Sequence, residues 1–216
     1  MGVILSSLFS EAKGGLNNII IYTVKGQVRI RSKSLVFRDK KSPKQLLQRG
    51  KLKGALGLYQ HLDSAFTAAW KEESQKTIMN ACNLFIQNNI RNINTEGTIE
   101  DPAQLKISIG TLPLPSGIQM REAGEDEILV TWNFDSMQYT TEQYDDLLQI
   151  GVYGKLNNDD EKDKECIYYL RAVRANRSEG QCRFSLSAFR APLHFYACFK
   201  SLYTHEYSDS VYLGSK

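Results

Sequence analysis

Apolar and polar residues repeat with two different periods along this chain of 216 residues, and the change between them organises it. Residues 18–24, Asn-Ile-Ile-Ile-Tyr-Thr-Val, form a run of strand formers. Lys25 and Gly26 follow, and residues 27–31 then alternate strictly, with Val28 and Ile30 on one side and Gln27, Arg29 and Arg31 on the other. Two such segments around a short turn containing glycine predict a β-hairpin with a basic outer face. Ser42, Pro43 and Gln45 read as a helix start: Ser42 the N-cap, Pro43 the first helical residue, Gln45 the far end of a capping box. Beyond it Gly50, Gly54 and Gly57 fall on one helix face. Each costs about 1 kcal/mol relative to alanine, so three together predict a neighbour packed close to the backbone. Ala55, Leu58, Leu62, Phe66 and Ala69 carry an apolar stripe onward at helical spacing, and Asp63 or Ser64 can cap a second helix after a bend near His61. A third helix is predicted over about 77–90, with Ile78, Cys82, Phe85 and Ile86 toward the core.

After a polar stretch the period becomes that of strands. A boundary is expected between Asn92 and Pro102. Segments 105–110, 127–133, 147–154, 166–172, 181–187, 193–201 and 210–213 read as strands, separated by turn-rich or acidic stretches. Seven short strands in this space predict an immunoglobulin-like or fibronectin type III-like sandwich, with Trp132, Phe195 and Phe199 as its large core aromatics. The expected fold class is therefore α+β: a basic hairpin-plus-helical module over 1–95, then an all-β sandwich over 103–216.

Charge strengthens this division. Residues 1–60 hold 12 of the 27 bases and 2 of the 24 acids, a net of +10, so the remainder carries −7. Eleven bases and the single acid Asp39 lie between Lys25 and Lys53. A basic module invites a polyanion or an acidic partner. The candidate polyanion-binding residues are Lys25, Arg29, Arg31, Lys33, Arg38, Lys40, Lys41 and Lys44, with Tyr22 and Phe37 available to stack on unpaired bases. The alternative is a solvated basic face that serves solubility or docks on the protein's own acidic portion.

The four cysteines, Cys82, Cys166, Cys182 and Cys198, are widely spaced and sit in apolar or alternating segments. Free buried thiols are expected, with Cys166 and Cys182 the pair most able to meet. The opening residues lack the basic start and cleavage site of a signal peptide, and no stretch approaches the roughly 20 apolar residues of a membrane span, so the cytoplasm is the expected compartment. No nucleophile elbow, HExxH, Walker loop or dinucleotide fingerprint occurs. The three histidines are read as structural or solvated, and the acidic stretches around Asp145 and over 157–163 as loop tips without calcium-loop spacing. No catalytic residue, metal ligand or cofactor is expected.

The opening of the chain, together with 107–113 (Ile-Ser-Ile-Gly-Thr-Leu-Pro), Val130-Thr131-Trp132 and 208–214 (Ser-Asp-Ser-Val-Tyr-Leu-Gly), resembles a family of unknown function found in Bacteroidetes. Its members open with a Ser-Gly-Lys-Val-Gly-like turn, a strand, a Lys-Gly turn, a basic strand and a Lys-Asn-Pro-Arg-Thr-like helix start. The counterparts here are 12–16, 18–24, Lys25-Gly26, 28–31 and 41–45, with departures at the opening turn and at Ser42 and Lys44. The resemblance implies an N-terminal hairpin-plus-helices unit and a C-terminal sandwich, and it carries no activity. The expected function is thus a non-enzymatic interaction or assembly protein. Sandwiches of this kind serve as adhesion and structural subunits, including those of phages, which would place the protein in a virion. Its expected partner is an unknown protein or a second copy, with no membrane. The alternative is a nucleic-acid-binding protein using residues 25–53.

Overall fold

The hairpin is present in a computed structural model, inside a sheet larger than the sequence pattern indicated. The structure describes residues 2–4, 13–33, 39–124, 126–156, 166–171, 173–186 and 189–216. Strands β1 (Gly2–Ile4), β2 (Gly14–Leu16), β3 (Ile19–Val24) and β4 (Gln27–Ser32) form one antiparallel sheet in the order β1-β4-β3-β2. Lys25 and Gly26 turn the chain with φ of 45° and 76°, the two left-handed residues that a tight primed turn needs. The register sets Tyr22 opposite Arg29 and Ile20 opposite Arg31, while Val28 is buried on the other face. The alternation in 27–31 therefore sorts apolar from basic as read from the sequence. The two short outer strands carried no comparable signal.

Helix α1 (Pro43–Gln60) begins at the capping box. The Ser42 N–H donates to Gln45 Oε1 (3.0 Å), and the Gln45 N–H donates to Ser42 Oγ (3.4 Å). After a break at His61, α2 (Ser64–Gln75) starts at Asp63, whose carboxylate accepts from the Ala65 N–H at 2.9 Å. The third helix is shorter than its apolar spacing suggests. α3 (Ala81–Asn89) starts where Asn80 caps the Asn83 N–H, and Ile78 is left exposed before it.

Two compact units make up the chain, Met1–Leu46 and Leu47–Lys216. The division falls inside the first turn of α1, not at the change of period near 92–102. The reason is packing within the second unit. There β11 (Val211–Ser215), β10 (Phe189–Lys200), β7 (Leu147–Leu156) and β8 (Cys166–Tyr169) form one sheet in that order, and β5 (Gln119–Glu122), β6 (Glu127–Thr131) and β9 (Gln181–Ser185) form another. Alternate residues of β7 and β10 serve different cores. Leu148, Ile150, Val152, Phe195, Ala197 and Phe199 face Ile128, Val130, Trp132 and Phe184. Tyr153, Tyr196 and Cys198, with Ile167 of β8, face Leu62, Phe66, Trp70 and Phe85 of the helical layer. Polar anchors reinforce the helical side: Trp70 Nε1 donates to the Ile107 carbonyl (2.9 Å), and Tyr196 Oη donates to the Pro102 carbonyl (2.6 Å). The four-stranded sheet is thus apolar on both faces and sandwiched between helices and the second sheet.

Six of the seven predicted strand segments hold a strand. The exception is 105–110, which runs beside 207–210 through side-chain bonds and a single backbone bond, from the Ser210 N–H to the Ser108 carbonyl (3.2 Å). Ile107 N–H donates to Ser210 Oγ (3.1 Å), and Ser108 Oγ donates to the Ser208 carbonyl (2.9 Å). The seventh strand is β5 instead, whose polar sequence Gln-Met-Arg-Glu hid it. Cys166 and Cys182 lie on β8 and β9, in different sheets, and all four cysteines are free thiols.

One further element escaped the sequence reading. Arg177, in a segment read as a turn, is completely buried, and its Nη2 lies 2.9 Å from Oδ2 of the equally buried Asp146. The guanidinium sits between the rings of Tyr139 and Phe199, 4.6 Å from each centroid. Burial pushes the Asp146 carboxyl up from its ordinary range, against the pull of Arg177 and Ser201.

Burial also pushes the Cys198 thiol from 9.0 up to about 12. Above the ordinary thiol range the unfolded chain ionises while the folded one does not, so this stability is intact below about pH 9 and drains away as pH rises toward 12. The full loss for three pKa units is on the order of 4 kcal/mol. Urea midpoints should accordingly fall between about pH 9 and pH 11, less steeply in Cys198→Ala. Identical slopes in the two proteins would show that Cys198 contributes nothing to the alkaline loss.

Candidate functional site

The cations singled out in the sequence belong to the first unit, where the described residues include one acid, Asp39. β4 is a central strand, and it presents Arg29 and Arg31 on the same face as Tyr22. The Arg31 guanidinium lies over the Tyr22 ring, 6.0 Å from its centroid, at the outer reach of a cation–π contact. Arg29 is half-buried. Its Nη2 donates to Gln27 Oε1 (3.4 Å), while its buried Nε has no hydrogen-bond partner among the described residues. Neither arginine has a carboxylate partner among those residues. Two guanidinium forks and a ring on one pleated face match what phosphate oxygens and an unpaired base require.

The other candidates are distributed along the chain, not gathered at this face. Lys25 occupies the turn, and exposed Lys33 lies just past β4, its N–H donating to the Asn18 carbonyl (2.7 Å). Lys40, Lys41 and Lys44 are exposed and flank the start of α1, with Lys41 at φ 45° and its N–H on Asp39 Oδ1 (3.2 Å). Arg38 and Phe37 lie outside the described residues, as does the acidic stretch 157–163.

The second unit holds a site that sequence reading did not find. A cavity of about 970 Å³ opens at the N-terminal end of α2, beside the start of β7 and the end of β10. Arg171, Arg174 and Lys200 line it, along with Gln149 and two acids, Asp63 and Glu179. Each acid is engaged by a chain turn. Asp63 caps α2, and Glu179 Oε1 accepts the Asn176 N–H at 2.8 Å. Arg171 reaches Asp63 only at 3.9 Å and remains 77% exposed. The Lys200 ammonium lies 5.7 Å from the Tyr207 ring centroid. These cations are spread over thirty residues of an acidic portion of the chain, so no local charge run marks them.

The histidines stay apart. His61 Nδ1 contacts the Gly57 carbonyl (2.8 Å), His194 Nδ1 meets Tyr212 Oη (3.0 Å), and His205 is in an exposed loop. Among the described residues no group of three or more His, Cys, Asp or Glu side chains could hold a metal ion. Among them, too, no helix is long and apolar enough to cross a membrane. No family model matches the chain, and no curated protein matches it significantly.

Proposed function

We propose that the protein is a non-enzymatic interaction component whose first unit engages the phosphate backbone of a nucleic acid. The observation that carries this reading is the shared face of Arg29, Arg31 and Tyr22, without a carboxylate partner for either arginine among the described residues. The second unit is, on this reading, a fibronectin type III-like sandwich that gained a helical layer. The strand orders β5-β6-β9 and β11-β10-β7-β8, closing one core between them, support it. Assembly with an acidic protein or with a second copy is the competing reading, supported by the opposite charge of the two portions of the chain.

Binding through phosphates is indifferent to sequence and steep in salt. Each phosphate neutralised on duplex contributes about −0.9 to the log–log slope. Four to six contacts then lose roughly a hundred- to a thousandfold in affinity between 50 and 200 mM salt. Fluorescence anisotropy with single- and double-stranded oligonucleotides reads this directly. Charge reversal at Arg29, Arg31 and Lys33 should weaken all sequences about equally. Absence of binding at low salt would leave protein assembly as the function, and binding that survives high salt would rule out the phosphate mechanism.

A further inference from the structure

The cavity of the second unit has the makings of a ligand site independent of the basic face. Its volume of about 970 Å³ lies at the upper end of the usual range for small-molecule pockets. Its wall has a surplus of positive charge, because Arg171, Arg174 and Lys200 face two carboxylates already engaged in capping the chain. Arg174 and Lys200 have no carboxylate within ion-pairing distance among the described residues. The floor carries an additional signal. Gln149 is 5% exposed, and its Oε1 receives only a long contact from Cys198 Sγ (3.9 Å). Its Nε2 has no hydrogen-bond partner among the described residues. This amide donor, without a partner in its own protein, borders a space lined by cations. The remaining surface near it is apolar or aromatic, including Leu147, Val173 and Tyr169.

We infer that this cavity binds a small organic oxyanion, a molecule with a phosphate or carboxylate head on an apolar or aromatic body. The head takes hydrogen bonds and charge from Arg174, Lys200 and the Gln149 amide, and Arg171 closes over it from the exposed side. The body lies along Leu147, Val173 and Tyr169. Inorganic phosphate alone is far smaller than this space and binds more weakly than a molecule that also covers the apolar wall.

Isothermal titration of the full-length protein tests this with two series of probes, nucleoside 5′-monophosphates for the phosphate head and aromatic monocarboxylates for the carboxylate head. Adenosine and inorganic phosphate serve as part-molecules. Probes at about 10 mM reach sites with millimolar dissociation constants. One series is expected to bind saturably at one molecule per chain, more tightly than either part-molecule. Arg174→Glu and Lys200→Glu should each weaken it at least about tenfold, and Arg29→Glu should leave it unchanged. Gln149→Met, which keeps the volume and removes the amide, should weaken binding about tenfold without lowering the thermal midpoint of the unliganded protein. Saturable binding by neither series overturns the inference. So does binding that survives Arg174→Glu and Lys200→Glu, or that disappears with Arg29→Glu. A Gln149→Met protein that is destabilised without its ligand assigns the amide to the fold and removes the floor of the site.

Discussion

A fragment carrying only residues 103–216 is expected to lose cooperative unfolding, whereas 47–216 keeps it. The strands of the fragment contain both sheets, so by count of strands it looks complete. What it lacks is the helical layer. Ile107, Tyr153, Ile167 and Tyr196 are buried against Phe66, Trp70 and Phe85, and removal of the helices exposes them. Full burial of a large apolar side chain is worth about 1.5–3 kcal/mol, so four of them represent roughly 6–12 kcal/mol. That is comparable to the entire stability of an ordinary domain, about 5–15 kcal/mol. The fragment also loses the donor that satisfies the Ile107 carbonyl, the Trp70 indole. Urea titration followed by tryptophan fluorescence, with dye binding to exposed apolar surface, distinguishes the outcomes. A sharp transition in 103–216 with no dye binding would show that the two sheets suffice, and that the helices are an appendage.

The second large effect is expected at the buried ion pair. Asp146→Ala leaves the Arg177 guanidinium enclosed by Tyr139 and Phe199 without a counter-charge, and breaking such a pair from one side costs about 3–5 kcal/mol. Replacing both partners, as Asp146→Leu with Arg177→Met, removes the uncompensated charge together with its desolvation, and buried pairs replaced in this way are often neutral or better. The double variant should therefore recover most of the loss. The bonds to main-chain carbonyls at this corner survive it: the Arg177 N–H donates to the Asp146 carbonyl (2.8 Å), and the Trp132 indole Nε1 donates to the Arg177 carbonyl (2.7 Å). Chemical denaturation of the wild type and the two variants measures how much of the loss is recovered. A double variant as unstable as the single one would mean that the charges themselves, not their imbalance, hold this corner together.

Local chemistry was legible in the sequence, and packing between distant segments was not. The Lys25-Gly26 turn, the capping box at Ser42 and Gln45, the Asp63 cap and the burial of Trp132 all depend on neighbours within a few residues or on strict alternation. The sequence places Arg29 and Arg31 together for the same reason. Period says only which residues face inward and not what they face, so the shared core of helices and four-stranded sheet was not legible. Residues 105–110 have strand-like alternation because Leu105 and Ile107 are buried, yet side chains of 208–210 and one backbone bond stand where a regular ladder would be. The cationic cavity was invisible for a related reason. Arg171, Arg174, Lys200 and Gln149 meet only after β7, β8 and β10 are paired.

The glycines of α1 acquire a meaning from where the 94–98 turn lies. A methyl group at Gly50 would collide with the Thr95 carbonyl and one at Gly54 with the backbone of Gly97, while at Gly57 it would meet nothing. The first two are a notch cut for another piece of main chain, and Gly97, at φ 92°, is shaped to enter it. A helix interrupted in this way is a poor helix by itself, since each glycine weakens it by about 1 kcal/mol relative to alanine. The continuity of α1 is therefore on loan from a turn some forty residues away. The notched segment keeps its helical form only while that turn is seated. Anything that unseats the turn leaves Gly50 and Gly54 as two helix-weakening residues with nothing to hold them.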